Sequence, residues 1–166
     1  YILFNYNDNP EDFYYRLEHN IRLNAKYGVK IFSFPMKYIP VTDKNRFDYV
    51  GENWNRKYLR AIQAVLNVTK GSVSPGESFF YKAFGKDVSE FHKIMIMPEA
   101  YIIQRFASED AGLTSMWWKE YQNLTKTVKI DVDRIILNND FSHEAISAVC
   151  KTGANFLSRH YDKIPV

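Results

Sequence analysis

A chain of 166 residues that is 46% apolar, 16% aromatic and 25% charged has enough hydrophobic surface for one domain with a core, or for a small domain plus an extension, and too little bias for long disorder. Its net charge of +3 is too weak to define a nucleic-acid or membrane-surface class by itself, and its single cysteine, Cys150, excludes an internal disulfide or a cysteine-based metal site. No stretch approaches the roughly 18 apolar residues of a membrane span, so the expectation is a soluble, cytoplasmic protein without a membrane partner.

The chain begins YILFNYNDNPEDFYYRL. Ile2, Leu3, Phe4 and Tyr6 form a short apolar run that reads as a strand buried on both faces of a parallel sheet. The period then changes. Asn9 can cap a helix, Pro10 suits the first helical position, and Glu11 and Asp12 place negative charge on its N-terminus. Phe13, Leu17 and Ile21 recur every four residues and line one side of a helix to Tyr27, which Gly28 ends as a left-handed cap.

VKIFSFPM follows at once, with Val29, Ile31, Phe32 and Phe34 as the residues of a second strand ended by Pro35 and Pro40. Strand, helix, strand is a βαβ unit with parallel strands. Two such strands leave open edges, so further strands are expected upstream of Tyr1. Ligands of parallel α/β sheets sit at the carboxyl ends of strands. That rule selects Asn5, Asn7 and Asp8 after the first strand and Ser33, Pro35, Met36, Lys37 and Tyr38 after the second.

The order LFNYNDNPEDFYYRL, a helix, then IFSFPMKYIPV resembles the last two strand and helix units of the radical S-adenosylmethionine enzymes. Asn7 to Phe13 match the polar loop and helix start of the penultimate unit, and Phe32 to Pro40 match the aromatic-x-aromatic-Pro end of the last strand. The resemblance covers about the first third of the chain. It implies an α/β fold in which residues 1–50 are the βαβ remnant of a partial parallel (β/α) barrel, followed over 51–166 by a mainly α-helical extension.

It also implies S-adenosylmethionine and a [4Fe-4S] cluster in the complete protein, with Ser33, Phe34, Pro35 and Met36 near the adenine and Asn5, Asn7 and Asp8 near the methionine or ribose. The family's three closely spaced cysteines are absent, and Asn7-Asp8-Asn9 replaces a glycine-rich loop. The chain would then be the C-terminal piece of a longer oxidoreductase, partnered by the missing N-terminal barrel half and inactive alone.

Beyond Pro40, a helix is expected from near Asn53, burying Trp54, Tyr58, Ile62 and Leu66 at four-residue spacing. Arg56, Lys57 and Arg60 lie off that stripe. With Lys44, Arg46, Lys37 and Tyr38 they form either a solvated face or a rim for a substrate, another anion or nucleic acid, so a non-catalytic anion-binding module is the alternative function. Ser74, Pro75 and Glu77 read as a capping box for a short helix closed by Gly85, and Asp87 to Glu90 as a second. Pro98 should break that second helix and start PEAYIIQRFAS.

Met95, Met97 and Met116 with Phe91 and Trp117 read as core, and the adjacent Trp117 and Trp118 cannot both face inward. VKIDVDRIILNND fits a strand or a helix, ending at Asn138 to Asp140. Ile146, Val149, Cys150, Gly153, Phe156 and Leu157 read as one final amphipathic helix with Cys150 buried. His19, His92, His143 and His160 show no metal-ligand spacing, and no self-sufficient catalytic motif is present.

Overall fold

A computed structural model describes residues 1–42, 44–151 and 155–161. They are mostly helical, with a two-stranded parallel sheet at the N-terminus, and the chain divides into two compact units, Tyr1–Met95 and Ile96–Val166.

In the first unit, β1 (Ile2–Phe4) pairs in parallel with β2 (Pro35–Lys37), and α1 (Pro10–Tyr27) connects them. The helix begins and ends where local chemistry requires. Pro10 is its first residue, the Asp12 carboxylate accepts the Asn9 backbone N–H at 2.9 Å, and Gly28 turns left-handed at φ 64°. Phe13, Leu17 and Ile21 are buried as the spacing predicts, and Phe13 lies 5.1 Å from Phe4, 6.1 Å from Phe84 and 6.2 Å from Trp54, ring centre to ring centre. Burying one such ring contributes about 1.5–3 kcal/mol, so α1 holds the sheet chiefly through this aromatic cluster.

Two strand expectations need correction. β1 is buried on one face only: Ile2 and Phe4 point inward, whereas Leu3 is 46% exposed. The second strand is not Val29 to Phe34; it starts at Pro35, opposite Ile2, and runs through Met36 and Lys37. The cause is Asn24, whose amide donates to the Ile31 carbonyl at 3.0 Å and accepts the Ile31 N–H at 2.6 Å, occupying backbone groups a ladder would use. Ser33 instead exchanges two backbone bonds with Val73 in an antiparallel bridge. Pro35 is tolerated because Ile2 bonds to the Phe34 carbonyl at 2.9 Å, leaving the proline nitrogen facing away from β1.

The second helix, α2 (Arg56–Val68), starts later than Asn53, where the Asn55 side chain accepts the Tyr58 N–H at 2.9 Å. Tyr58, Ile62 and Leu66 are buried on it, and Trp54 is buried just ahead of it. Its inner face is wider than a four-residue stripe, since Ala61, Ala64 and Val65 are buried too. α3 (Glu77–Phe84) begins two residues beyond the expected cap, with Gly76 at the N-cap position and Gly85 at its end. Pro75 is engaged elsewhere, its carbonyl accepting from Asn24 at 3.3 Å. α4 (Val88–Ile96) is capped as expected: Asp87 accepts the Glu90 N–H at 2.8 Å, while the Glu90 carboxylate reaches Lys86 N–H at 3.0 Å.

The second unit contains α5 (Glu99–Ile103), α6 (Arg105–Asp110), α7 (Leu113–Gln122), α8 (Lys126–Asn138), α9 (His143–Cys150) and α10 (Phe156–Tyr161). PEAYIIQRFAS is therefore two helices, broken at Gln104, where ψ is 45°. The ambiguous VKIDVDRIILNND is helical: Val132, Ile135 and Ile136 bury one face, and Asn139 ends it left-handed at φ 53°. Trp117 is buried and Trp118 half-buried. Phe91, Met95 and Met97 are core residues, but Met116 is 47% exposed, because it precedes Trp117 on α7 and so faces a different side. The final amphipathic run is realised as α9 and α10, with Cys150 half-buried and not buried; Gly153 lies outside the described residues.

Candidate functional site

The carboxyl ends of β1 and β2 lie side by side, so Asn5, Asn7 and Asp8 share an edge with Lys37 and Tyr38. Asn5 is buried in the left-handed region at φ 68°. Its amide donates to the carbonyls of Tyr38 and Tyr49 at 3.2 and 3.3 Å, and its oxygen accepts the Gly51 N–H at 2.7 Å. Every polar atom of that side chain is used inside the protein. Asn5 is therefore a staple between β1, β2 and the loop before α2. Gly51 is required beside it, since a Cβ there would stand 2.7 Å from the Tyr6 carbonyl.

Asp8 is likewise committed. Its carboxylate accepts the Tyr6 N–H at 3.0 Å and the Trp54 indole N–H at 3.1 Å, and pairs with Arg16. Arg16 also donates to the Leu3 carbonyl at 2.8 Å, on the side of β1 away from β2. Asn7 is exposed at the same edge. Rings extend from there: Tyr6 lies 4.6 Å from Tyr38, and Tyr38 lies 5.6 Å from Tyr49.

The remaining expected site residues divide three ways. Ser33 and Phe34 precede β2 and so lie at the opposite, amino end of the sheet, while Pro35 and Met36 are within the strand; these four do not join Asn5, Asn7 and Asp8. Lys37 does reach the carboxyl edge, donating to the Phe47 carbonyl at 3.3 Å, and Arg46 covers the Phe47 ring at 5.0 Å. Burial, and next the charge of Arg56, push the Lys37 ammonium below its ordinary range, with Asp48 pulling the other way. Lys57 is a correction: it is 1% exposed, because it shares the inner face of α2 with Ala61 and Ala64. The expected rim therefore keeps Arg56 and Arg60, both exposed, and loses the cation between them.

No protein-family model, curated protein or solved structure matches this chain.

Two further arrays combine residues that no sequence spacing links. In the first unit, His92 Nε2 is 2.7 Å from a Glu11 carboxylate oxygen, and its Nδ1 is 2.7 Å from the Tyr58 hydroxyl. A carboxylate only accepts, so Nε2 carries the proton that faces Glu11, and Nδ1 shares the second hydrogen bond with the Tyr58 hydroxyl. In the second unit, His160 Nε2 faces Glu120 at 3.3 Å and Nδ1 faces the Tyr101 hydroxyl at 2.9 Å, with Arg159 on the far carboxylate oxygen of Glu120 at 3.1 Å. The only sequence signal for either array was a histidine on a helix.

His160 is buried, and that burial depresses its pKa, against the opposing pull of Glu120. The unfolded chain therefore takes up a proton at higher pH than the folded one. The resulting stability is complete above the ordinary histidine value of about 6.5 and declines as pH falls below it. Urea midpoints should drop between pH 7.5 and pH 5.5, and His160→Gln should remove part of that dependence; an equal slope in the variant would assign it to other groups.

Proposed function

We propose that this chain is the C-terminal portion of a radical S-adenosylmethionine, iron-sulfur oxidoreductase, with β1, α1 and β2 as closing elements of its partial barrel and the later helices as cover. The observation that carries this reading is the parallel pairing of β1 with β2 across the single helix α1. A parallel pair gains little stability in isolation and normally belongs to a larger sheet. Among the described residues no third strand pairs with β1, and beside its outer edge runs a groove of about 650 Å³ lined by Tyr1, Ile2, Tyr15, Arg16, His19 and Asn20. That groove has room for a short segment paired along the outer edge of β1.

The residues present do not fit the iron-sulfur cluster, since Cys150 is the only thiol. Its ligands must come from the missing half. For S-adenosylmethionine, this chain offers the exposed Asn7 and the half-buried Tyr38 of the carboxyl edge; Asn5 and Asp8 hold that edge in shape.

The coding stretch ahead of Tyr1 tests the reading. It should specify a CxxxCxxC segment, and the longer polypeptide should gain visible iron-sulfur absorbance on anaerobic reconstitution while residues 1–166 alone stay colourless. A frame without clustered cysteines, or a cluster forming on this chain alone, would remove it.

A further inference from the structure

The rim beside the carboxyl edge carries cations that form no ion pair with a carboxylate among the described residues. Lys37 donates to a neutral carbonyl, that of Phe47, and among the described residues neither Arg46 nor Arg56 is ion-paired with a carboxylate. Lys37 Nζ lies 3.3 Å from the Phe47 carbonyl and Arg46 covers the Phe47 ring at 5.0 Å, so both cations border one residue, and the charge of Arg56 is felt at Lys37 as well. A planar guanidinium and an ammonium bordering the same residue, with a second guanidinium on the adjoining helix, suit the oxygens of a phosphate group.

Aromatic rings flank the same cations. Tyr38 follows Lys37 directly and meets Tyr6 at a tilt and Tyr49 edge-on, while Phe47 lies under Arg46. Tyr6 is 45% and Phe47 69% exposed, which is costly in water and useful to a flat partner. We infer that this rim binds a nucleoside phosphate, with the phosphate on Lys37, Arg46 and Arg56 and the base against Tyr6 or Phe47. This deepens the reading of the carboxyl edge as a ligand-binding rim and rests on that edge, but it needs no cluster and no missing strand.

Two probes separate the sources of such a ligand: adenosine monophosphate, and a short fluorescein-labelled single-stranded oligonucleotide. Binding to the whole chain is measured at low salt, by calorimetry for the first and anisotropy for the second. Arg56→Gln and Lys37→Gln should each weaken binding by up to about tenfold and lower the salt dependence of strand binding by about one unit of slope. Tyr6→Ala should weaken nucleotide binding while leaving inorganic phosphate binding unchanged.

Competition by the mononucleotide identifies a free nucleotide as the ligand, and binding of the oligonucleotide alone identifies a strand. Should Lys37→Gln lose its far-ultraviolet helical signal, the exposed Arg46→Gln takes its place. No binding of either probe, or affinity unchanged in Arg56→Gln and in the Lys37 or Arg46 variant, overturns the assignment. A chain that binds nucleotide yet has no cysteine segment upstream would keep this inference and discard the barrel.

Discussion

Asn5→Ala is expected to destabilise the Tyr1–Met95 unit by about 3 kcal/mol, the sum of stranding buried backbone groups and placing at positive φ an alanine, which tolerates that region less well than asparagine. The first contribution is the larger one. The carbonyls of Tyr38 and Tyr49 and the N–H of Gly51 all converge on this one amide, and no water-facing route replaces it, because Asn5 is buried. Asn5→Gly separates the contributions: it loses the same bonds but accepts φ 68° without strain, so it should recover about 1 kcal/mol of the alanine loss. Urea denaturation followed by circular dichroism measures both. An alanine variant within about 0.5 kcal/mol of the parent would show that the three backbone groups find other partners.

The second large effect belongs to Trp117. Truncation to alanine should cost the Ile96–Val166 unit about 4 kcal/mol, in the range for emptying a fully enclosed aromatic site. The indole also donates to the Tyr161 hydroxyl at 3.1 Å, and that hydroxyl donates to the Ile96 carbonyl at 2.6 Å. Trp117→Phe retains much of the volume and removes the indole N–H, so its smaller cost, about 1–2 kcal/mol, reports the hydrogen bond and the residual space. Equal losses for the two variants would mean that the polar contact, and not packing, dominates this core.

Local chemistry was legible in the amino-acid order wherever its partners lie within one helical turn. The start of α1 at Pro10, its end at Gly28, the Asp87 cap of α4 and the end of the α8 segment within Asn138 to Asp140 all follow from neighbouring residues. Competition from beyond one helical turn was not legible. Nothing near Ile31 reveals that Asn24 will take both its backbone groups, yet that contact moves β2 onto Pro35 and carries Ser33 and Phe34 to the wrong end of the sheet for the expected site.

Lys57 shows a second limit. A four-residue stripe through Tyr58 and Ile62 suggests a narrow buried face, but Lys57 shares a helix side with the small buried residues Ala61 and Ala64 and is enclosed with them. The candidate edge was located through Asn5, Asp8, Lys37 and Tyr38. Which of these are spent on internal bonds depended on distances from Asn5 to Gly51 and from Asp8 to Trp54, each 46 residues apart in the chain.

Arg16 gives the outer side of β1 a particular character. By covering the Leu3 carbonyl while tethered to Asp8, its guanidinium denies passing polypeptides the acceptor from which intermolecular ribbons grow. A legitimate neighbour must displace a charged tenant already anchored at its other end, so weak intruders are turned away and only a segment bringing several compensating bonds gains entry.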